Sequence, residues 1–218
     1  MKKQVQAVLF WGGLWGISEA TISYFVHLYL PGMGWMFYYP LAYGFMWGAL
    51  HATGKRSTVM YAAVCASAIK LVNLPVVPRV DYVINPAISI LLEGFTVWLA
   101  LLCIGDKEKP LIRYGLLPLL TSAAWRGLYL AYLLWTPQWM RDVSVLADGQ
   151  EMMRFITLEF MGNALAISLF SWMMSGLNHA LKVKLQRAQR GKQILPDTAY
   201  SGIALGTVIL SILLQRAL

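Results

Sequence analysis

Five ionisable residues lie inside long apolar stretches of this sequence, where a charge is expensive. A charged side chain at the centre of a membrane helix costs about 2.5–3.5 kcal/mol on insertion scales, so such residues often mark a binding site or an ion pathway. They could neutralise one another as ion pairs that hold the helices together, or line a cavity that admits water and a polar solute. The five residues are Glu19, Lys70, Glu93, Arg126 and Glu159.

Polar residues accompany these charges at four-residue spacing, which places them on shared helix faces. Ser89 precedes Glu93 by one such step, and Asn163 follows Glu159 by another. We therefore predict that these faces converge on a pocket that opens to the outside of the membrane. The predicted ligand-binding residues are Glu19, His27, Lys70, Asn73, Glu93, Arg126, Glu159 and Asn163.

Arg126 is expected to be the electrostatic anchor of this pocket. A guanidinium cannot be deprotonated, and from the middle of a helix it is too deep to reach the interface easily. We expect Glu93 or Glu159 to pair with it when no ligand is bound. An anionic ligand group could then take over part of that role.

Motifs of common enzyme classes are missing from the sequence, which has no G-x-S-x-G, H-E-x-x-H, paired-Asp or P-loop pattern. Cys65 and Cys103 lack C-x-x-C spacing, and His27 has no second His or Cys at ligand spacing, so we predict neither a metal site nor a cofactor. One enzymatic alternative stays open: a Glu acting as an intramembrane base while Arg126 holds the phosphate of a lipid-like substrate.

The composition places the chain in a membrane. Its 218 residues are 58% hydrophobic and 13% charged, with 9 Trp and 11 Met, which is too apolar for an ordinary soluble domain. A formal net charge of +8 would suit nucleic acid. Basic residues gathered in cytoplasmic loops explain the charge better, so the lipid bilayer is the expected partner and nucleic acid is not.

Apolar runs of about 17–25 residues predict membrane spans, and here they predict one all-α domain, a polytopic transmembrane bundle of six to seven helices. Lys and Arg gather near one set of span ends, which predicts a cytoplasmic amino terminus and, if the seventh segment spans, an outside carboxyl terminus. The outside loop Pro137–Glu151 suits a flap or an interfacial anchor. The spans are about 7–30, 35–53, 57–76, 83–104, 113–136, 152–180 and 199–216.

The first predicted helix has two faces of different chemistry. Its polar face carries Glu19 and His27. Another face carries Gly12, Gly16 and Ala20, a small-residue stripe that lets a second helix approach closely in lipid. We interpret the stripe as a partner-docking surface.

An outside turn and an aromatic run follow this helix. Pro31–Gly34 predicts a tight turn. The run Trp35–Tyr39 comes directly after it and is either an interfacial belt or the apolar wall of a ligand site.

Several of these features recur together in one transporter family: the stripe on the first helix, the outside turn, the segments 44–48 and 68–74, and the Asn163-bearing sixth helix. Over about residues 5–183 the chain resembles the substrate-binding S component of energy-coupling-factor (ECF) vitamin transporters. The resemblance implies that the stripe docks a membrane coupling subunit that works with ATPases, and that Glu93, Arg126, Glu159 and Asn163 contact the vitamin. The family has six helices, so the seventh segment departs from it. The Met-His start of its cobalt and nickel members is also absent, which argues against a metal substrate.

We therefore expect a multi-pass protein of a bacterial cytoplasmic membrane that binds a small, vitamin-like polar or aromatic solute from outside and serves as an uptake subunit. It has no ATPase motif of its own. The alternatives are the intramembrane enzyme described above and a scaffold or assembly protein whose buried charges only lock helix packing.

Overall fold

The chain is helical throughout the part that the computed structural model describes. This part comprises residues 2–30, 32–104, 111–188 and 197–217, without the side chains of residues 23, 24, 27, 113, 175–188 and 197–199. A 3-10 turn at Gly34–Met36 precedes the second helix, and a π-helical turn at Ile112–Leu116 leads into the fifth. The α-helices here are α1 (Lys2–Tyr29), α2 (Tyr38–Thr53), α3 (Ser57–Leu71), α4 (Asp81–Cys103), α5 (Leu117–Trp135), α6 (Gln138–Arg141), α7 (Gly149–Ile156), α8 (Leu158–Ala188) and α9 (Asp197–Ala217).

The predicted all-α class is confirmed for the described residues, and the seven predicted apolar segments are mostly helical. The sixth segment, 152–180, is divided between α7 and α8 at Thr157. Among the described residues, three stretches are long and apolar enough to cross a membrane: Asp81–Cys103, Gly149–Met174 and Tyr200–Ala217. α2 and α3 are shorter, with 16 and 15 residues. α3 ends at Leu71 rather than near residue 76, because Pro75 has no N–H and its ring would clash with the carbonyl four residues earlier.

The long helices alternate in direction along the chain. Helices α1, α3, α5 and α9 run one way, and α2, α4 and α8 run the other way. The contacts that establish these directions are Trp11–Gly48 and Trp15–Phe45 for α1 and α2, Gln4–Ser57 and Gly16–Ile69 for α1 and α3, Ala63–Gly94 and Ser67–Ala87 for α3 and α4, and Gln6–Ser201 and Gly16–Gln215 for α1 and α9. For α4 and α5 the contact is Asn85–Tyr132, and for α5 and α8 it is Ser122–Phe160. At the other end of these three helices, Val97, Leu117 and Ser171 line one cavity.

Helix α1 lies between α3 and α9 and packs on both through its small residues. A Cβ added at Gly12 would lie 2.7 Å from the Cβ of Cys65 on α3, and one at Gly16 would collide with the Ser211 hydroxyl on α9. Ala20 is 6% exposed. The stripe does admit close helices, as its pattern indicates, but these helices belong to the same chain. In this structure the predicted docking residues are therefore buried inside the bundle.

Polar side chains hold α9 against its neighbours. Gln6 of α1 donates to the Ser201 hydroxyl at 2.7 Å, and Asn73, just beyond α3, donates to Gln215 at 2.8 Å. Gln215 also donates to the carbonyl oxygen of Gly16 at 3.4 Å. In an apolar environment such pairs have few competing partners, so they define the position of α9 along α1.

The two ends of the bundle differ in charge and in covering. The basic end, where α1 begins and α2 turns into α3, carries Lys2, Lys55 and Arg56. The opposite end, which we call the capped end, is formed by residues 32–37, 72–80 and 136–157 and is covered by the short helices α6 and α7. There Arg79 donates to the Asp81 carboxylate at 2.6 and 3.2 Å, and these bonds raise the pKa of the Arg79 guanidinium.

Candidate functional site

Arg126 is the centre of a buried polar cluster in the middle of α5. Its side chain is 3% exposed. Nε donates to the carbonyl oxygen of Phe155 at 2.8 Å, and Nη1 donates to the hydroxyl of Ser122, one turn earlier, at 3.0 Å. The guanidinium carbon lies 4.7 Å from the ring centre of Trp125 and 4.9 Å from that of Phe155. Both distances suit cation–π attraction, which is strongest where water is excluded.

Asn163 connects Arg126 to the turn that precedes α2. With its amide oriented to match the surrounding donors and acceptors, Oδ1 of Asn163 accepts from Nη2 and Nη1 of Arg126 at 2.9 and 3.2 Å, and Nδ2 donates to the carbonyl oxygen of Trp35. The neighbouring Gly162 packs directly under the Trp35 ring and leaves no room for a Cβ. One amide thus joins α5, α8 and the turn at the capped end.

The bonds of Arg126 differ from the expected carboxylate pairing, because the acceptors that the structure shows are two amide-type oxygens and a hydroxyl. Glu159 instead places Oε1 3.6 Å from Nε of Arg154, and Glu93 accepts from the Ser89 hydroxyl at 3.2 Å. Both carboxylates remain within electrostatic range of Arg126. Neutral acceptors satisfy the planar guanidinium without the cost of bringing a second charge into direct contact.

Aromatic rings enclose this cluster. The Tyr39 ring lies 5.4 Å from that of Trp125, which lies 5.7 Å from that of Phe155. The indole N–H groups of Trp35 and Trp125 are buried and have no hydrogen-bond partner among the described residues. The Tyr39 hydroxyl lies beside threonine hydroxyls but makes no hydrogen bond of standard geometry with the described residues. The Arg126 cluster, as we use the term, comprises Tyr39, Glu93, Ser122, Trp125, Arg126, Phe155 and Asn163, with Trp35 at its edge.

The other predicted ligand-binding residues lie at the border of the cluster or away from it. Glu19 is half-buried on α1, within electrostatic range of Glu93. Lys70 is half-buried in the last turn of α3, and Asn73 takes part in the contact with α9. The side chain of His27 lies outside the described residues. The structure thus brings Asn163 into contact with Arg126 and places Glu93 and Glu159 within electrostatic range of it. Glu19 lies within range of Glu93, and Asn73 is bonded elsewhere, to Gln215.

Arg154 connects α7 to the turn that follows α1. Nη2 of Arg154 donates to the carbonyl oxygen of Gly32 at 2.6 Å. The same guanidinium lies 3.8 Å from Glu151 and 3.6 Å from Glu159. Gly32 has a φ of +76°, which favours glycine, so the turn that receives this bond depends on the residue type at that position. The contact links α7 and α8 to the end of α1 directly beside the Arg126 cluster.

The chemistry of the cluster is dominated by hydrogen-bond donors. A guanidinium carries five N–H groups, and in Arg126 each of its three nitrogens donates to Phe155, Ser122 or Asn163. The two indoles add two N–H groups that have no protein acceptor in the described part of the chain. A carboxylate or another acceptor-rich group would match this arrangement. Within the described ranges, no group of three or more His, Cys, Asp and Glu side chains could hold a metal ion.

Three members of the cluster were not among the residues predicted from sequence: Ser122, Trp125 and Phe155. Ser122 could have been found, because it lies four residues before Arg126 and therefore on the same helix face. Phe155 carries no such signal, because it contributes a backbone carbonyl from α7, and only the folding of the cap over α5 brings that carbonyl to Arg126.

Comparison with known proteins adds no further assignment: no family model matches the chain, and no curated protein or solved structure is significantly similar to it.

Proposed function

We propose that the chain is a seven-span membrane protein that binds a small, acceptor-rich solute at the Arg126 cluster, entering from the capped end. The predicted direction of binding, from the outside of a bacterial cytoplasmic membrane, corresponds to this end. Two buried indole N–H groups without a partner among the described residues carry the proposal: that of Trp125, whose ring packs on the buried guanidinium, and that of Trp35, whose carbonyl accepts from Asn163. A buried donor without an acceptor costs about 1–3 kcal/mol, so it is seldom kept without a reason.

The alternation of the long helices supports seven crossings. Each of the seven helices α1–α5, α8 and α9 runs opposite to the preceding one of this set. The last of them, α9, is therefore parallel to α1. Parallel first and last helices place the two chain termini at opposite ends. Lys2, Lys55 and Arg56 lie at the basic end, where the positive-inside rule favours the cytoplasm.

The side chains of the Arg126 cluster favour a planar or aromatic solute that carries a carboxylate. Trp125, Phe155 and Tyr39 provide aromatic rings, and Arg126 and the indole N–H groups provide hydrogen-bond donors. Arginine is suited to a carboxylate because its N–H groups form a planar fork. A solute of this class agrees with the vitamin-like ligand that the resemblance to ECF S components implies.

The uptake role follows from the same resemblance and remains part of the proposal. The sequence has no P-loop, so uphill transport would depend on a coupling subunit and ATPases supplied by other chains. Since Gly12, Gly16 and Ala20 are covered by α3 and α9, a coupling subunit would have to dock on another face of the bundle.

A scaffold role is the second candidate, and one observation favours it. The hydrogen bonds of Arg126 and Asn163 join α5, α7, α8 and the turn before α2, which is what a structural lock between helices would do. Under this alternative the cluster stabilises the bundle and binds no solute.

Native mass spectrometry of the protein purified in a mild detergent tests the proposal. We expect a retained small molecule on the wild-type chain and on Arg216→Met, whose exposed arginine belongs to α9 and not to the cluster, but not on Arg126→Met. No retained molecule on the wild type, or equal retention by all three proteins, would overturn solute binding at the cluster. Retention of a lipid instead would favour the enzymatic alternative.

A further inference from the structure

A cavity of about 150 Å³ lies near the basic end of the bundle, away from the Arg126 cluster. It is bounded by α2, the start of α3, the second half of α4, the start of α5 and the middle of α8. None of the residues that make up the Arg126 cluster lines it. Its described lining includes Tyr43, Met46, Trp47, Leu101, Tyr114 and Ser171.

The cavity has a buried floor and a more exposed rim. Met46 and Val59 are 0% exposed, and Val97 and Leu117 are each 3% exposed, so these four side chains form an apolar wall deep in the bundle. His51, on the rim, is exposed and belongs to the last turn of α2. The cavity therefore faces the basic end, which the charge pattern assigns to the cytoplasm.

One polar group in the lining has no partner. The hydroxyl of Ser171 is buried, with the residue 5% exposed, and it makes no hydrogen bond to any described residue. A serine in the middle of a helix usually donates to the carbonyl four residues earlier, as Ser168 does at 2.7 Å. Ser171 is instead left available to a molecule in the cavity that it lines.

We infer that this cavity is a second binding site, for a small planar aromatic molecule that bears one hydroxyl or similar polar group. Cavities of roughly 150 Å³ in protein interiors can hold benzene. The flat side chains of Trp47, Tyr43 and Tyr114 provide ring contacts, and the Ser171 hydroxyl provides one directional hydrogen bond. The inference does not depend on the proposed solute at the Arg126 cluster, because the two sites share no residue.

Fluorine NMR of the protein in lipid nanodiscs tests this site with two probes, 4-fluorophenol and fluorobenzene. Empty nanodiscs are the control, because they show how much of each probe enters the lipid without protein. Leu101→Trp fills the cavity, and Leu99→Trp, two residues away on the lipid-facing side of α4 and 45% exposed, is the matched control. We expect 4-fluorophenol affinity to fall at least about tenfold in Leu101→Trp and to stay at the wild-type value in Leu99→Trp.

Ser171→Ala tests whether the Ser171 hydroxyl forms a hydrogen bond with the bound molecule or whether the cavity offers only apolar contacts. The loss of one hydrogen bond should weaken 4-fluorophenol about fivefold and leave fluorobenzene unchanged. Signals no different from those of empty nanodiscs would show that the cavity holds water only and would overturn the inference. Equal loss of both probes in Ser171→Ala, or undiminished binding in Leu101→Trp, would also overturn it.

Discussion

The contact between Arg126 and Asn163 gives the sharpest test of how the cluster is held together. Arg126→Met keeps most of the side-chain volume but removes every donor. The carbonyl of Phe155 and the amide oxygen of Asn163 then lose their partner. Each buried acceptor that is left without a donor costs about 1–3 kcal/mol. Removal of the buried charge offsets part of this cost. We therefore expect the free energy of unfolding to fall by about 2–4 kcal/mol.

Asn163→Leu breaks the same contact from the other side. It strands N–H groups of a buried guanidinium and the carbonyl of Trp35, and breaking a buried charged contact typically costs about 3–5 kcal/mol. In the double variant the shared bonds are lost only once. The double variant should therefore lose about 1–3 kcal/mol less than the sum of the single losses.

Equilibrium unfolding in bicelles, followed by circular dichroism as the SDS fraction rises, measures these free energies. Arg126→Met combined with Thr207→Val, on the distant α9, is the control pair and should be additive within about 0.5 kcal/mol. Additive losses for Arg126→Met and Asn163→Leu would contradict a direct contact between the two residues. Stronger coupling of Arg126→Met to Glu159→Gln than to Asn163→Leu would identify a carboxylate as the main partner and would also contradict it.

Three further predictions concern topology, packing and the cap. In a variant without the native cysteines (Cys65→Ser, Cys103→Ser), an impermeant maleimide applied to intact cells should label Ala217→Cys but not Lys2→Cys. The reason is that the two termini lie at opposite ends of the bundle. Labelling of both positions or of neither would contradict seven crossings. Gly16→Leu should lower the free energy of unfolding by about 2–3 kcal/mol, because its side chain collides with Ser211. Gly202→Leu meets open space and should lower it much less. Equal losses would contradict the α1–α9 packing. Arg154→Gln should speed amide exchange at residues 32–37 about fivefold by removing the bond to Gly32, while Arg141→Gln should not; unchanged exchange would show that Arg154 does not hold the cap.

Helix periodicity found some of the site contacts and missed others. The four-residue spacing indicated the bond between Ser89 and Glu93 on one helix, and the same spacing joins Ser122 to Arg126, which was not predicted. Partners on a neighbouring element leave no such spacing in the sequence. Asn73 was assigned to the pocket because it is polar and near a span, but its partner Gln215 lies on α9, and no periodicity in one helix shows which neighbour it meets.

The sequence by itself determined the all-α class, the approximate positions of the seven apolar segments and the difference in charge between the two ends, because these depend on local composition and on hydrophobic runs. It also showed that Arg126 is buried and must be satisfied. Only the tertiary structure decided that its acceptors are a carbonyl, an amide and a hydroxyl rather than a carboxylate. The same holds for the small-residue stripe of α1, which indicates that some helix will approach closely but not which one. In the structure α9 packs against Gly16 of the stripe. Its residues Ser211 and Gln215 contact Gly16 although they lie almost two hundred residues further along the chain.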